Sequence, residues 1–421
     1  MQHASAPALL ATLETMIAPG GRVRVSPYVE SAQFQVLFGE RPRPDRRYES
    51  GLSLLKQHDA RIKQLAHDWV QFSNYGKSFN SDYYDSPGQL DAYLAYYCTT
   101  NVAKVQLCLL DLLRAGALPQ PRLRIIDIGV GTGTSLLGVM DFLLTWATAC
   151  ALYDVEFPIE DVQFIGIDRS RSCLDYSSRV AHACADAVQE RLDALRDADA
   201  LPAIRNVERW ARAARWMPHD LNTASFDADE PNLLIASNSF NELQPIGRRH
   251  LGSMILSLST QGTAIIIEPG DRNKSQTLMD WRLRLVKAHP QIRVVGPCGH
   301  ARSSPLTEAC STCWNGRRES LHQPLLYKRF REAAAELKVD DRPFHDFENE
   351  LLSWTYTLLQ KNAEGGHCAP EPIRIRDGQP WPDDMPLIFV GAFSGKRQTR
   401  GRNGIDDTQG DQLVGVRQEF E

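Results

Sequence analysis

The segment Arg124-Ile125-Ile126-Asp127-Ile128-Gly129-Val130-Gly131-Thr132-Gly133-Thr134 constrains the fold more than any other. A short apolar run ends in an acid, passes through three alternating glycines and opens into a helical period. Glycine lacks a Cβ, so it tolerates positive φ and lets a ligand approach the backbone. Similar apolar runs lie at 123–128, 162–167, 232–236 and 263–267, and segments of helical period at 134–149, 169–196 and 246–258 fall between or beside them. Continuous apolar strands alternating with helices predict a parallel sheet covered on both faces. In such a sheet the glycine turn lies at the carboxyl edge, where ligands bind.

Residues 1–120 read as a mainly helical region. Leu90, Tyr93, Leu94 and Tyr97 recur at helical spacing, as do Val105, Leu109, Leu112 and Leu113, and both stripes read as core. Residues 121–395 form the sheet domain, with candidate closing strands at 352–359 and 386–393. A cysteine-containing insertion occupies about 294–345. From 396 to 421 the chain is polar, with few large apolar residues, which predicts a disordered tail.

The net charge of -5 argues against a protein that coats nucleic acid with its whole surface. Residues 271–331, however, carry +8, leaving -13 elsewhere; this is a candidate surface for an anion or RNA, unless acidic neighbours neutralise it. No stretch approaches the roughly 18 to 20 uninterrupted apolar residues of a membrane span. No basic leader precedes a hydrophobic run, and nine cysteines in 421 residues are too sparse for a disulfide scaffold. A cytoplasmic or mitochondrial-type reducing compartment is the expectation, with no membrane partner.

The glycine spacing separates two classes of ligand. Dinucleotide folds use G-x-G-x-x-G with the helix N-terminus facing a pyrophosphate. Here the pattern is G-x-G-x-G, and Asp127 stands two residues before Gly129. A carboxylate there repels a pyrophosphate and suits a cationic amino group or sulfonium. The segment resembles the first motif of class I S-adenosylmethionine-dependent methyltransferases. That resemblance implies a Rossmann-like, doubly wound, seven-stranded sheet, in which Asp127, Gly129, Gly131 and Gly133 border the methionine part of the cofactor.

Asp168 ends the next run, and its two acceptor oxygens suit a pair of ribose hydroxyls; it also fits the N-cap of the following helix. By the same resemblance Asp220 receives the adenine amino group, with Leu221 packing on the ring. The polar string Ser237-Asn238-Ser239-Phe240-Asn241-Glu242-Leu243 follows the fourth run. Asn238 is placed toward the methionine amino group, and Asn241 or Glu242 toward the acceptor. Glu242 reads equally as a helix-terminal acid. Glu268, at the end of the fifth run, is a third candidate at the site edge. The string lacks the D/N-P-P-Y pattern of enzymes that methylate amino groups of nucleic acids. No G-x-S-x-G elbow suggests hydrolase chemistry. Methyl transfer is chiefly alignment, with proton removal for some acceptors.

Cys298, His300, Cys310 and Cys313 fall within 16 residues, as C-x-H and C-x-x-C. This density has metal-ligand character, for zinc or an iron–sulfur cluster. His300 or Cys368 completes the set; unligated loop thiols are the alternative. Taken with Asn238–Leu243 and Ile267-Glu268-Pro269-Gly270, the segment Pro297-Cys298-Gly299-His300 is similar to the methyltransferase-like family of the mitochondrial small ribosomal subunit and its bacterial relatives, over roughly 88–360. That resemblance implies action on or near small-subunit RNA. Three readings follow: methyl transfer to RNA or a small metabolite, a non-catalytic S-adenosylmethionine-binding assembly factor, and another alkyl transfer to a small molecule.

Overall fold

The central strands form where the sequence is apolar on both faces, and their alternate residues feed opposite cores. The computed structural model describes residues 6–75, 87–194, 201–270, 272–297, 317–339, 342–343 and 351–362. All belong to a unit spanning Met1–Arg374; a second unit, Ile375–Glu421, holds none of them. The expected closing strand at 386–393 and the tail at 396–421 therefore lie outside the described residues.

The sheet strands are β1 (Arg22–Val23), β2 (Arg122–Ile128), β3 (Asp161–Asp168), β4 (Arg215–Pro218), β5 (Leu233–Ser237), β6 (Thr263–Pro269), β7 (Ile292–Gly296), β8 (Arg317–Leu321) and, after a short antiparallel pair β9 (Lys338–Val339) and β10 (Arg342–Pro343), β11 (Leu351–Lys361). Their order is β1-β8-β11-β6-β5-β2-β3-β4, with β7 also on β11. β4, β3, β2, β5 and β6 are parallel. β11 runs antiparallel to β6, pairing Thr357 with Ile266. Its 11 residues are about twice the usual strand length. Its free edge thus holds β8 along one half and β7 along the other.

Seven of these strands, β4-β3-β2-β5-β6-β11-β7, make the doubly wound arrangement. The sheet itself has nine strands, so the expected count of seven is corrected: β8 and β1 extend it. The expected insertion at 294–345 contains most of β7, all of β8 and helix Leu325–Ala335, elements that pair or pack with the body of the fold.

Eleven helices are found among the described residues: α1 (Ala6–Ile17), α2 (Pro27–Phe38), α3 (Arg47–Gln57), α4 (Asp59–Tyr75), α5 (Pro87–Arg114), α6 (Thr134–Leu152), α7 (Arg171–Ala194), α8 (Leu201–Arg212), α9 (Pro245–Ser257), α10 (Arg272–Ala288) and α11 (Leu325–Ala335). On one sheet face Leu123, Ile125, Leu233 and Ile235 join α5, α6 and α7; on the other Ile126, Ile128, Leu234 and Ala236 join α9 and α10. This is the two-residue period of a strand buried on both sides. A third cluster, with Phe34, Ile62, Leu65, Trp69 and Phe330, joins α2, α4 and α11.

α6 is long and apolar enough to cross a bilayer by length and composition, yet it packs against α1, α5 and α8 and is buried on nearly all sides. α5 approaches it closely, because a Cβ on Gly138 would come within 2.6 Å of Val105 Cβ.

The +8 segment is dispersed by the fold. Arg282 is 2% exposed, and Arg329 is ion-paired with Asp59 on α4. These two cations are drawn into the fold, so the segment is less available for phosphate than its sequence implies.

Candidate functional site

The carboxyl ends of β2, β3 and β5 meet where the strand order reverses, and a solvent-open cleft lies there. This is the switch-point position for ligands in an open α/β sheet. Its floor is the glycine loop. Gly129, Gly131 and Gly133 have φ of 66°, 54° and 79°. At Gly129 a Cβ would stand 2.6 Å from Ser239 Cβ, so a side chain there would collide with the opposite wall. The loop is tied down by Gly129 N–H donating to Ile167 O at 2.9 Å and by Ser177 Oγ donating to Gly131 O at 2.8 Å. Gly133 caps α6 without lining the cleft.

Asp168 lies at the rim of β3. One carboxylate oxygen accepts the Gly131 N–H at 3.1 Å, and the other accepts the Ser170 N–H at 2.9 Å. Burial pushes its carboxyl up, and these hydrogen bonds offset part of that rise. Each oxygen keeps a further lone pair for a hydroxyl. Asp220 follows β4, with one oxygen taken by the Asn222 N–H at 2.9 Å. Leu221 and Leu243 add apolar wall beside it. Asn238, at φ 58°, leaves the end of β5 in the left-handed region that Asn tolerates better than most residues. Its N–H donates to Ile267 O at 2.8 Å, and the residue lines the cleft.

Asp127 lies beneath this floor rather than in its surface, fully buried. Among the described residues it has no ion pair, and the Ser135 hydroxyl approaches it without an ideal hydrogen-bond geometry. Burial pushes the carboxyl up to about 8; nearby Ser135 opposes the rise and the Asp168 charge adds to it. An isolated buried carboxylate is stabilised by a cation nearby. The cleft above it therefore favours a positively charged ligand.

The three catalytic candidates separate. Glu242 is exposed and lines the cleft. Glu268 is fully buried behind it, accepting the Asn241 N–H at 3.2 Å and the Asn241 side-chain amide. Neither Asn241 nor Glu268 lines the cleft. Burial pushes the Glu268 carboxyl up to about 7, partly offset by Asn241. On α5, the buried Lys104 amine is lowered to about 8 by desolvation, which the Glu268 charge counters.

Several lining residues escaped the sequence reading: Tyr93, Thr132, Ser135, Arg169 and Ser239. Tyr93 belonged to an aromatic stripe read as core, and it stands at the cleft wall. Thr132 stands inside the glycine turn and Ser135 just beyond it, positions that signal wall residues once the loop is recognised. The cysteine-site residues Cys298, His300, Cys310, Cys313 and Cys368 lie outside the described residues. Among the described residues no group of three or more His, Cys, Asp or Glu is placed to hold a metal ion.

The cleft suits S-adenosylmethionine in two respects: its loop lacks the side chains that would fill it, and its buried acid has no ion pair among the described residues.

No curated protein matches the chain. Among solved structures, the plantazolicin methyltransferase BamL, in complex with a triazolic desmethylPZN analog and SAH, is 11% identical, covering 72% of this chain and 99% of its own with a TM-score of 0.35. A TehB-like SAM-dependent methyltransferase from Corynebacterium glutamicum is 13% identical over 72% and 100% of the two chains, with a TM-score of 0.28. The YcgJ protein from Bacillus subtilis is 14% identical over 62% and 100%, with a TM-score of 0.26. The family described as mitochondrial small ribosomal subunit Rsm22 matches residues 89–344. That span is more than half of the sequence and includes the glycine loop, Asp168, Asp220 and the Asn238–Glu242 string, and on it the chain belongs to the Rsm22 family.

Proposed function

We propose that the protein binds S-adenosylmethionine in the β2–β3–β5 cleft and directs its methyl group to RNA of the small ribosomal subunit. The observation that carries the cofactor assignment is Asp127, a fully buried carboxylate under a glycine loop with no ion pair among the described residues. When bound, the cofactor supplies a methyl group on an electrophilic sulfonium. The chain holds and orients it. Asp168 receives the ribose hydroxyls, Asp220 the adenine amino group, and Asn238 the methionine amino group. Leu221 and Leu243 exclude water from the adenine faces. Glu242 is the exposed acid at the cleft and takes the acceptor proton where the chemistry requires it. RNA as acceptor rests on the family, which is described by a ribosomal subunit.

One observation favours a second reading, a non-catalytic assembly factor that binds the cofactor. Asn241 and Glu268 hold each other behind the cleft wall and contribute nothing to its lining. In both readings a metal at Cys298, Cys310 and Cys313, with His300 or Cys368, is an expectation from spacing alone.

The test is incubation with methyl-labelled cofactor and cell extract, separated into RNA and small-molecule fractions. Label in small-subunit RNA that Asp168→Ala abolishes supports the proposal. Label in the small-molecule fraction overturns RNA as acceptor. Intact cofactor binding without label in either fraction selects the non-catalytic reading.

A further inference from the structure

The polar string after β5 divides its residues between two sides. Asn238, Ser239, Glu242 and Leu243 line the cofactor cleft, while Phe240 and Asn241 do not. Phe240 is buried against Trp281 of α10, ring centroids 5.1 Å apart, with the Arg248 guanidinium of α9 at 4.8 Å from its ring. Asn241 turns instead toward the end of β6, where its N–H at 3.2 Å and its side-chain amide both donate to Glu268. Between these anchors the chain makes one tight turn, closed by Glu242 N–H donating to Ser239 O at 3.1 Å and Leu243 N–H to Phe240 O at 3.2 Å. Whatever holds Asn241 therefore also sets its neighbour Glu242.

The other end of the turn has little room to move. Asn238 N–H is held by Ile267 O, the residue before Glu268. Ser239 stands so near the glycine loop that a Cβ on Gly129 would come within 2.6 Å of it. Glu268 has no exposed surface, so water cannot stand in for Asn241. A buried carboxylate left without its donors is costly, and the pair is correspondingly hard to separate. Lys104 of α5, Lys274 of α10 and Arg248 of α9 lie within electrostatic reach and favour its charged form, while Glu242 opposes it.

We infer that Glu268 is a positioning residue: through Asn241 it fixes the wall Asn238–Leu243 in the shape that receives the cofactor. Glu268 touches no ligand itself, since it does not line the cleft. The inference rests on the cofactor-binding reading of the cleft and holds whether or not the methyl group is then transferred.

The test uses the full chain and S-adenosylhomocysteine as the probe, by calorimetry at pH 6 and pH 9, with circular dichroism to confirm folding. Asn241→Asp keeps the shape of the side chain and sets a carboxyl against Glu268. Two adjacent carboxyls can share one proton but cannot both ionise cheaply. Relative to native protein at the same pH, this variant should bind within about threefold at pH 6 and at least about tenfold more weakly at pH 9. Adding Glu268→Gln supplies an amide donor to the new acid, so the double variant should return to within about threefold of native at both pH values. A packing role alone would give neither the pH dependence nor the rescue. Should Asn241→Asp fail to fold at pH 9, Asn241→Ala, which removes the amide without adding charge, should weaken binding there by at least about threefold. Native affinity in Asn241→Asp at pH 9, or a loss that persists in the double variant, overturns the positioning role while leaving the cofactor reading intact. Native protein that binds no S-adenosylhomocysteine overturns both.

Discussion

Replacing Asp127 with Asn probes the cofactor assignment through a proton. Burial raises this carboxyl from 3.8 to about 8, so the folded chain holds the proton more firmly than the unfolded one. Its contribution to stability is full below pH 4 and is lost as pH rises toward 8. By pH 7 the loss amounts to roughly 4 kcal/mol, at about 1.4 kcal/mol per unit. A cationic ligand above Asp127 restores the charged form, so binding should expel the proton. At pH 7 a group titrating near 8 is about nine-tenths protonated, and cofactor binding should therefore release roughly 0.9 proton. Calorimetry in two buffers of different ionisation enthalpy measures this number. Asp127→Asn should bring the release near zero, weaken the cofactor, and flatten the pH dependence of the unliganded protein's stability between pH 4 and 7. Tight binding with no proton released by the native protein would refute the electrostatic role given to Asp127.

Other substitutions test the geometry. Gly129→Ala adds a Cβ 2.6 Å from Ser239 Cβ at a φ of 66°. It should lower unfolding stability by about 2–4 kcal/mol and abolish cofactor binding, read by denaturation and calorimetry. Gly138→Ala thrusts a methyl group against Val105 and should cost about 1–3 kcal/mol in a urea melt, through the α5–α6 contact. Tyr93→Ala removes an aromatic wall from the cleft and should lower kcat/KM about tenfold, while Tyr93→Phe retains activity. Anaerobic purification should yield stoichiometric metal that Cys310→Ser with Cys313→Ser removes; metal-free native protein would reject the cysteine site.

The sheet was legible where burial is continuous. β2, β3, β5 and β6 are apolar on both faces, so their runs stand out against the helices between them. β4 is four residues on an edge, largely exposed, and shows no run. β7 is five residues long and ends two positions before Cys298, so its short run does not stand out from the cysteine-containing sequence. β8, with the sequence Arg-Arg-Glu-Ser-Leu, and the two-residue β1 owe their place to distant pairing with each other and with β11. Local composition cannot show that. At the site, position at the strand ends was readable: Asp168, Asp220, Asn238 and Glu242 all line the cleft. Depth was not. Asp127 and Glu268 stand near the ends of β2 and β6, with β5 between, and look equally exposed in sequence, yet the fold buries both. Tyr93 comes from a helix 36 positions before Gly129, and tertiary packing alone brings it to the cleft.

A co-crystal with S-adenosylhomocysteine tests the central claim most directly. The account predicts the ligand along the glycine loop, ribose hydroxyls about 2.7 Å from the Asp168 oxygens and the adenine amino group about 3 Å from Asp220. A saturating soak that leaves this cleft empty, or seats the ligand elsewhere, contradicts it.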